Sequence, residues 1–264
     1  MTPTNRESQP DADDRPQPVQ VRGLTMAYGR RIIQHDLTFT IRRGETFVIM
    51  GGSGCGKSTL LRHLIGLNTP AAGTVLRDGQ DLVRADETTL DAIRRRTGIM
   101  YQSGGLWSAL TLAENIAVPM EEFTDLGPRE IRELASLKLA LVGLAGCEDL
   151  LPAQLSGGML KRASLARAMA LDPDILFCDE PSAGLDPISA RRLDDLIIEL
   201  RDSLHTTIVV VTHDLPSIFA IATDAIFLDA ETHTLRAQGS PRRLLDESHD
   251  ETLIRFLTRG ERSS

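Results

Sequence analysis

The stretch Glu45–Leu67, ETFVIMGGSGCGKSTLLRHLIGL, decides the fold of this chain. Its first residues are almost continuously apolar, which is typical of a buried strand in a parallel sheet. Its last residues repeat their apolar side chains at the spacing of an amphipathic helix. Between these two parts, Gly51–Ser58 matches G-x-x-x-x-G-K-[S/T] without a gap. The stretch therefore predicts a strand, a phosphate-binding loop and a helix in direct succession.

The residue types of this loop suit a polyphosphate ligand. Glycines let backbone N–H groups turn inward and approach phosphate closely, and the N-terminus of the next helix adds partial positive charge. We expect Lys57 to reach the β- and γ-phosphates and Ser58 to give an oxygen to Mg²⁺. The side chain of Cys55 is interpreted as a small filler. The loop residues expected to bind the nucleotide are Gly51, Gly52, Ser53, Gly54, Cys55, Gly56, Lys57 and Ser58.

Composition and charge limit the class of protein. The chain has 264 residues, of which 41% are hydrophobic and 25% charged, as in an ordinary globular protein. Its net charge of -8 argues against a general nucleic-acid partner. The cysteines, Cys55, Cys147 and Cys178, are odd in number and far apart, so no disulfide framework is expected. No signal peptide and no apolar run of about 18 residues is visible, so any work at a membrane would need a partner.

The order of sequence patterns predicts an α/β domain. Residues 1–18 are polar and rich in proline, and we interpret them as a disordered tail. Residues 19–264 would form one domain, which begins with alternating strands typical of an antiparallel sheet. A helical sub-lobe is expected at about residues 103–170. Continuous apolar strands return after it and indicate a mostly parallel core sheet. These strands are DILFCD (Asp174–Asp179), TTIVVVTH (Thr206–His213) and DAIFLDA (Asp224–Ala230), with a long helix at about residues 187–203 between the first two.

Two acids end the first of these strands. Asp179 and Glu180 follow the apolar run Ile175–Cys178. The carboxyl ends of parallel strands face the ligand crevice of an open sheet. Asp179 fits as an acid that holds Mg²⁺, and Glu180 fits as a general base for an attacking water. Taken alone, this pattern could equally be a solvated strand end, and it gains weight from the phosphate loop that precedes it.

These motifs, in this order, resemble the nucleotide-binding subunit of ABC transporters over nearly all of the chain after the tail. The resemblance implies a P-loop NTPase of the ABC type, with a mostly parallel core sheet, an antiparallel β subdomain and a helical sub-lobe. It also implies an ATPase that uses ATP and Mg²⁺. Gly51–Thr59 resembles the Walker A loop, which adds Thr59 to the nucleotide contacts, and Asp179 and Glu180 resemble the Walker B acids.

The resemblance assigns roles to residues that mean little alone. Tyr28 is similar to the aromatic residue that stacks on adenine. Gln102 is similar to the glutamine that senses Mg²⁺ and the γ-phosphate, and counts here among the metal and catalytic residues. His213 is similar to the switch histidine that contacts the γ-phosphate. Asp186, in SAGLDP, is similar to the acid of the D-loop. The catalytic set implied by the family is Lys57, Gln102, Glu180 and His213, and the metal set is Ser58, Gln102 and Asp179.

The stretch Leu155–Met159, LSGGM, resembles the signature motif of the family. Serine and glycines at a helix start form an anion site. In ABC proteins this site binds the γ-phosphate held by the other subunit, through residues that correspond here to Ser156, Gly157 and Gly158. One chain with one loop and one signature cannot close its own site. The resemblance therefore implies a dimer, with a second copy or a close paralogue.

A narrower resemblance concerns the subfamily. Met159 stands where the commonest signature has glutamine, and the segment Gln102–Met120 contains QSGGL and NIAVP. Both features resemble the ATPase of the Mla type, which maintains lipid asymmetry in Gram-negative bacteria. This likeness implies a phospholipid or another hydrophobic cargo. It also implies a membrane permease, an MCE-domain substrate-binding protein and a STAS-domain protein as partners. The ATPase would then lie peripherally on the cytoplasmic face of the inner membrane.

Three alternatives stay open at this point. A soluble ABC ATPase of translation or repair usually has two cassettes or a long coiled coil, and neither is visible here. An ABC importer for another solute, such as an amino acid or an ion, is disfavoured by Met159 and by the segment after Gln102. A P-loop GTPase is disfavoured because no Asn-Lys-x-Asp motif is present.

Overall fold

The structure is a computed structural model, and it describes residues 15–259. Its strands are β1 (Val19–Tyr28), β2 (Arg31–Ile41), β3 (Thr46–Gly51), β4 (Ala72–Arg77), β5 (Gln80–Asp81), β6 (Thr97–Met100), β7 (Ile175–Asp179), β8 (Thr207–Val211), β9 (Asp224–Leu228) and β10 (Leu235–Gly239). Its helices are α1 (Lys57–Leu64), α2 (Glu87–Arg95), α3 (Leu112–Phe123), α4 (Pro128–Leu141), α5 (Gly157–Ala168), α6 (Pro187–Leu204), α7 (Leu215–Ile221), α8 (Pro241–Glu247) and α9 (Glu251–Leu257). A single 3₁₀ turn covers Pro152–Gln154.

The core of the fold is a six-stranded sheet in the order β10-β9-β3-β8-β7-β6. The strands β9, β3, β8, β7 and β6 are parallel, and β10 pairs antiparallel with β9. Every residue of β3, β8 and β9 is buried, which explains why these strands read as unbroken apolar runs. The phosphate loop follows β3, and the paired acids stand at the end of β7, two strands away in this order.

Alternate residues of the core strands enter two separate hydrophobic cores. Val48 and Met50 pack in the core that contains the helices α3–α7. Phe47 and Ile49 pack in the other core, with α1 and the strands β1 and β2. This alternation follows from the two-residue period of a strand. One face of the sheet is therefore covered by the helical part of the chain, and the other by α1 and the antiparallel sheet.

The antiparallel sheet has the order β2-β1-β4-β5. Its hairpin β1–β2 ends with Tyr28 paired to Arg31, which places Tyr28 at the tip. Arg77, at the end of β4, is buried and ties this sheet to the core. Its guanidinium donates to the carbonyls of Pro18 and Leu64 and lies 5.2 Å from the centre of the Phe177 ring. These contacts fix the sheet that carries Tyr28 against the sheet that carries the acids.

The fold class predicted from the sequence is confirmed, with shifts at the element ends. The helix expected at Lys57–Leu67 ends at Leu64, because Gly66 adopts φ +77 and turns the chain away. Residues 103–170 contain α3, α4 and α5, with no strand in this described range. The elements β5, β10, α2 and α7 were not predicted. Most of the tail expected at 1–18 lies outside the described residues, and the domain boundaries stay a prediction.

No helix in residues 15–259 combines the length and the apolar character that crossing a bilayer requires.

Candidate functional site

The phosphate loop connects β3 to α1 in a conformation that demands glycine at two places. Gly51 has φ +153, and a Cβ there would lie 2.4 Å from the Leu228 carbonyl oxygen. Gly56 has φ +99, and a Cβ there would lie 2.6 Å from Ile33 Cγ2. Lys57 Nζ donates to the carbonyls of Gly51 and Gly52, at 2.9 and 3.0 Å. Because an ammonium has three N–H bonds, Lys57 keeps a donor for a phosphate oxygen.

The back of the loop is held by Gln34, a residue that sequence reasoning missed. Gln34 is fully buried, and its Nε2 donates to the carbonyls of Cys55 and Asp229, both at 2.8 Å. The Cys55 side chain is also buried, and burial raises the pKa of its thiol. A buried, protonated thiol is a poor nucleophile, which agrees with the interpretation of Cys55 as a filler.

Ser58 and Asp179 meet beside the loop. Ser58 Oγ donates to Asp179 Oδ1 at 3.1 Å. Burial raises the pKa of Asp179, and the hydrogen bond from Ser58 opposes that change. A hydroxyl and a carboxylate are hard oxygen ligands, and Mg²⁺ in nucleotide sites needs only one or two carboxylates because phosphate and water fill the other positions. The donor set fits Mg²⁺. Within residues 15–259 no cluster of three or more His, Cys, Asp or Glu side chains offers a different metal site.

Glu180 and His213 lie together at the ends of adjacent strands. His213 Nδ1 is 2.7 Å from Glu180 Oε1, and Thr212 Oγ1 donates to Glu180 Oε2 at 3.4 Å. Glu180 is 9% exposed, whereas the His213 side chain is 65% exposed. The backbone of Glu180 has φ +47, a strained conformation for a residue with a side chain. This strain turns the Glu180 carboxylate toward β8 and His213, away from the direction in which the strand was running.

The backbone of Gln102 is bonded by a lysine of α5, the helix that begins at the signature motif. Lys161, on α5, donates from Nζ to the backbone carbonyl of Gln102 at 2.6 Å. Burial lowers the pKa of Lys161, while the charges of Glu180 and Asp179 oppose that change. Lys161 therefore lies within electrostatic range of both acids. It connects the start of the Gln102 loop to the helix that begins at the signature motif.

The loop after Gln102 is held in place by a buried asparagine. Asn115, on α3, accepts from the Trp107 N–H at 2.7 Å. Its Nδ2 donates to the carbonyls of Trp107 and Leu110, at 3.1 and 3.0 Å. Arg167, on α5, donates to the Gly105 carbonyl, and its guanidinium carbon is 6.0 Å from the centre of the Trp107 ring. The Trp107 residue nevertheless stays 55% exposed, so a fixed backbone presents it at the surface.

Tyr28 stands exposed at the tip of the β1–β2 hairpin. It is 51% exposed, and its hydroxyl accepts a hydrogen bond from Asn68 Nδ2 at 3.3 Å. This hydrogen bond is the main cause that lowers the pKa of Tyr28, and Thr59 of α1 acts in the same direction. The tyrosine ring therefore lies next to the helix that follows the phosphate loop, which suits a base attached to a bound polyphosphate.

The signature residues face a different surface. Ser156 caps α5 by accepting from the Met159 N–H at 3.3 Å. Ser156 and Gly158 line a cavity whose other described walls come from the end of α4 and from α5 and α6, not from the phosphate loop. A Cβ added at Gly157 or Gly158 would make only ordinary contacts, at 3.6 and 3.5 Å. Packing within this chain therefore does not demand glycine there.

Asp186 acts as the N-cap of α6. Its Oδ1 accepts from the N–H groups of Ile188 and Ser189, both at 3.0 Å, and the bonds with Ser189 lower the pKa of Asp186. Ser189 also lies against Gly158, so the capped end of α6 borders the signature glycines. The structure thus brings Lys57, Ser58, Asp179, Glu180 and His213 to one edge of the sheet. It places Ser156, Gly157, Gly158 and Asp186 together on another surface.

The chain is similar to a known protein family and to individual proteins from other organisms. The family described as ABC transporter matches residues 34–183, more than half of the chain. The chain is 40% identical over 243 residues to the intermembrane phospholipid transport system ATP-binding protein MlaF of Haemophilus influenzae, covering 92% of this chain and 90% of that protein. It is also 40% identical over 244 residues to the probable ribonucleotide transport ATP-binding protein mkl of Mycobacterium tuberculosis, covering 92% of this chain and 67% of that protein.

A solved structure shares the fold. The dimeric ATP-binding cassette MJ0796, in a post-hydrolysis state bound to ADP and phosphate, aligns with a TM-score of 0.75 and 30% identity. The alignment covers 84% of this chain and 98% of that one. Both the fold and the sequence thus match ATP-binding proteins. The chain therefore belongs to the ABC transporter family, in which it is an ATP-hydrolysing subunit.

Proposed function

We propose that this chain powers a membrane transporter that moves phospholipid or another hydrophobic cargo. The observation that carries the proposal is the 40% identity to MlaF of Haemophilus influenzae, a phospholipid transport protein, over nearly the whole of both chains. The similarity to the mycobacterial ribonucleotide transport protein is as high but covers only 67% of that protein. Ribonucleotide is therefore kept as the alternative cargo.

Each part of the site has a proposed role toward ATP. Tyr28 stacks on the adenine ring, and Gly51–Thr59 surrounds the phosphates. Lys57 binds a phosphate oxygen. This role is supported by its ammonium, which is buried against the loop and keeps one N–H bond available to donate. Ser58 and Asp179, with Gln102, hold Mg²⁺, which neutralises charge on the β- and γ-phosphates when bound.

Glu180 is the proposed general base. Two donors, His213 Nδ1 and Thr212 Oγ1, orient its carboxylate at the carboxyl end of the sheet. From there the carboxylate accepts a proton from a water aligned with the γ-phosphate. His213 stabilises the negative charge that develops on the phosphate. The Nδ1–H of His213 already donates to Glu180. For Nε2 to donate a hydrogen bond to the phosphate as well, the imidazole ring must be doubly protonated.

The active form is proposed to be a dimer of two copies of this chain. The related cassette MJ0796 is dimeric, and in this chain the signature residues lie on a surface separate from the phosphate loop. Ser156, Gly157 and Gly158 of one copy would cap the γ-phosphate on the other, with Asp186 nearby. A Cβ at either glycine would fit within this chain, so a contact from outside the chain is a reason for glycine at both positions.

The Trp107 loop is proposed to bind a membrane permease. Trp107 is apolar, half-exposed and rigidly held by Asn115 and Arg167, which are properties of an anchor for a partner helix. Lys161 and Arg167 bind the same loop from α5, so movement of the signature helix would be passed to this surface. The chain would then sit at the cytoplasmic face of the inner membrane. An MCE-domain protein and a STAS-domain protein are proposed as further subunits.

Purification of the native complex tests this function. We expect the full-length chain to co-purify with an integral membrane subunit, and mass spectrometry of the complex to detect bound phospholipid. A Trp107→Ala variant should lose the membrane subunit while it keeps ATP binding. Val83→Ala, at another exposed apolar position, is the control. Bound ribonucleotide other than ATP or ADP, without phospholipid, would instead support the alternative cargo. A chain free of any membrane subunit would refute the transporter role.

A further inference from the structure

Where α6 packs against α7, two carboxyl groups lie within hydrogen-bond distance of the same serine hydroxyl. Ser217 Oγ lies 2.9 Å from Asp194 Oδ2 and 3.1 Å from Asp214 Oδ2. A serine hydroxyl carries one proton and can donate it to only one of these oxygens. The other carboxyl must therefore bring a proton of its own, or two anions would face the same oxygen atom.

Asp194 is the group that suits the neutral form. Asp194 is 3% exposed, and its Oδ1 is buried without a hydrogen-bond partner among the described residues. An unpaired carbonyl oxygen of a protonated acid costs much less to bury than an unpaired carboxylate oxygen. Burial accordingly raises the pKa of Asp194 to about 6; the contact with Ser217 opposes this rise and the charge of Asp214 adds to it.

Asp214 suits the ionised form. It caps α7, where the helix N-terminus favours negative charge, and its Oδ1 lies 3.8 Å from the guanidinium of Arg259. The other charges that act on Asp194 come from its own helix, where Arg191 lowers and Asp195 raises its pKa. The order of donation is therefore from Asp194 to Ser217 and from Ser217 to Asp214.

This chain of hydrogen bonds leads to the catalytic residues. Asp214 donates from its backbone N–H to Thr212 Oγ1 at 3.1 Å, and Thr212 Oγ1 donates to Glu180 Oε2 at 3.4 Å. His213 lies between Thr212 and Asp214 and bonds the other oxygen of Glu180. We propose that Asp194 is a positioning residue of the ATPase: as a carboxylic acid it donates to Ser217 and thereby fixes Asp214, His213 and the carboxylate of Glu180. The inference rests on the proposed roles of His213 and Glu180.

The consequence of proton loss follows from the same geometry. When Asp194 ionises, Ser217 is left between two carboxylates and the contact between α6 and α7 weakens. Positioning is therefore stronger at mildly acidic pH and weaker at alkaline pH. Asparagine at this position would donate to Ser217 at every pH, because its amide N–H₂ does not titrate. Leucine has a similar size but cannot donate.

The test measures ATP hydrolysis by the full-length chain, in the complex with which it purifies, from pH 5.5 to pH 8. The ratio of wild-type kcat to Asp194→Asn kcat should fall about 2- to 10-fold across this range, as expected for one hydrogen bond. At pH 5.5, Asp194→Leu should have a kcat about 2- to 10-fold below that of Asp194→Asn, with the KM for ATP unchanged. Asp202→Asn, at an exposed position near the end of the same helix, is the control with an unchanged pH profile.

Two further variants make the result decisive. If Asp194→Leu does not fold, Ser217→Ala replaces it: kcat should fall, and Asp194→Asn should no longer change the pH profile in its presence. A ratio that stays constant with pH, or equal kcat for the Leu and Asn variants, would overturn the inference. His213→Ala is measured in parallel. If that variant loses turnover while the Asp194 variants have no effect, the inference alone fails; full activity of His213→Ala would refute the proposed role of His213.

Discussion

His213 Nδ1 and Glu180 Oε1 lie 2.7 Å apart, so the two residues form one unit at the edge of the core sheet. Glu180 follows β7 and His213 follows β8, two strands that are adjacent and parallel. Their side chains meet because parallel strands end at the same edge. The positive φ of Glu180, +47, turns its carboxylate toward the histidine. Strain at this position is maintained by the bonds that His213 and Thr212 make to the carboxylate.

The first prediction concerns the proposed base. Glu180→Gln keeps the size and the contact with His213 but removes the group that accepts a proton. We expect turnover to fall about 10²- to 10⁴-fold, while ATP still binds and holds two copies together. ATPase assays and light scattering with ATP measure these effects. Glu122→Gln, at an exposed position of α3, should leave both unchanged. Rapid hydrolysis by Glu180→Gln would contradict the assignment.

The second prediction concerns the lysine of the phosphate loop. Lys57→Met removes the ammonium that bonds the carbonyls of Gly51 and Gly52 and leaves these oxygens near the bound phosphates. We expect ATP affinity to fall about 10- to 100-fold, as for one charged hydrogen bond. Calorimetric titration measures the Kd. The exposed Arg84→Met is the control, and an unchanged Kd for Lys57→Met would count against this contact.

A third prediction concerns Asn115. Asn115→Ala removes the side chain that satisfies the backbone of Trp107 and Leu110 from a fully buried position. The free energy of unfolding should fall by about 2–3 kcal/mol, because buried polar groups lose their partners. Urea unfolding measures this loss. Glu121→Ala, exposed on the same helix, should change it by less than about 0.5 kcal/mol. If Asn115→Ala lowered the free energy of unfolding as little as Glu121→Ala, the loop would not depend on Asn115.

The fourth prediction is a dependence of stability on pH. The pKa of Asp194 is raised to about 6 in the folded chain, above its ordinary value of 3.8. Between these values the folded state binds more protons than the unfolded state, so stability falls as the pH rises from about 4 to about 6. Relative to Asp194→Asn, which does not titrate, wild type should lose up to about 2–3 kcal/mol over this range. Urea unfolding at several pH values measures the difference, and a constant difference would contradict the raised pKa.

The sequence predicted the parts of the site that local patterns define. The unbroken apolar residues of β3 and the loop after it led to the prediction that Lys57 and Ser58 bind phosphate and Mg²⁺. The spacing of the residues in such a loop is enough for this prediction. Gln34, Asn115 and Asp194 could not be found in this way. Each is a polar residue whose role comes from groups brought close only by the fold, such as the Cys55 and Asp229 carbonyls on Gln34. Strand β10 was missed because only alternate residues of it are partly buried.

The central claim is that each ATP is held by the phosphate loop of one copy and the signature of the other. Its most direct test mixes two variants of the full-length chain, Lys57→Met and Ser156→Arg, in the reconstituted complex, at an ATP concentration that fills the wild-type loop but not the Lys57→Met loop. In a mixed dimer one site combines both changes and the other has neither. Since about half of randomly mixed dimers are of this kind, ATP hydrolysis should recover to at most about a quarter of the wild-type rate.

The control places both changes in one chain and mixes it with wild type. Each site of that mixed dimer then contains one altered part, so mixed dimers should add no activity. The account predicts that ATP hydrolysis recovers in the first mixture. In the second mixture it predicts only the activity of the wild-type dimers. No recovery in the first mixture, with half-active mixed dimers in the second, would mean that each chain closes its own site and would contradict the account.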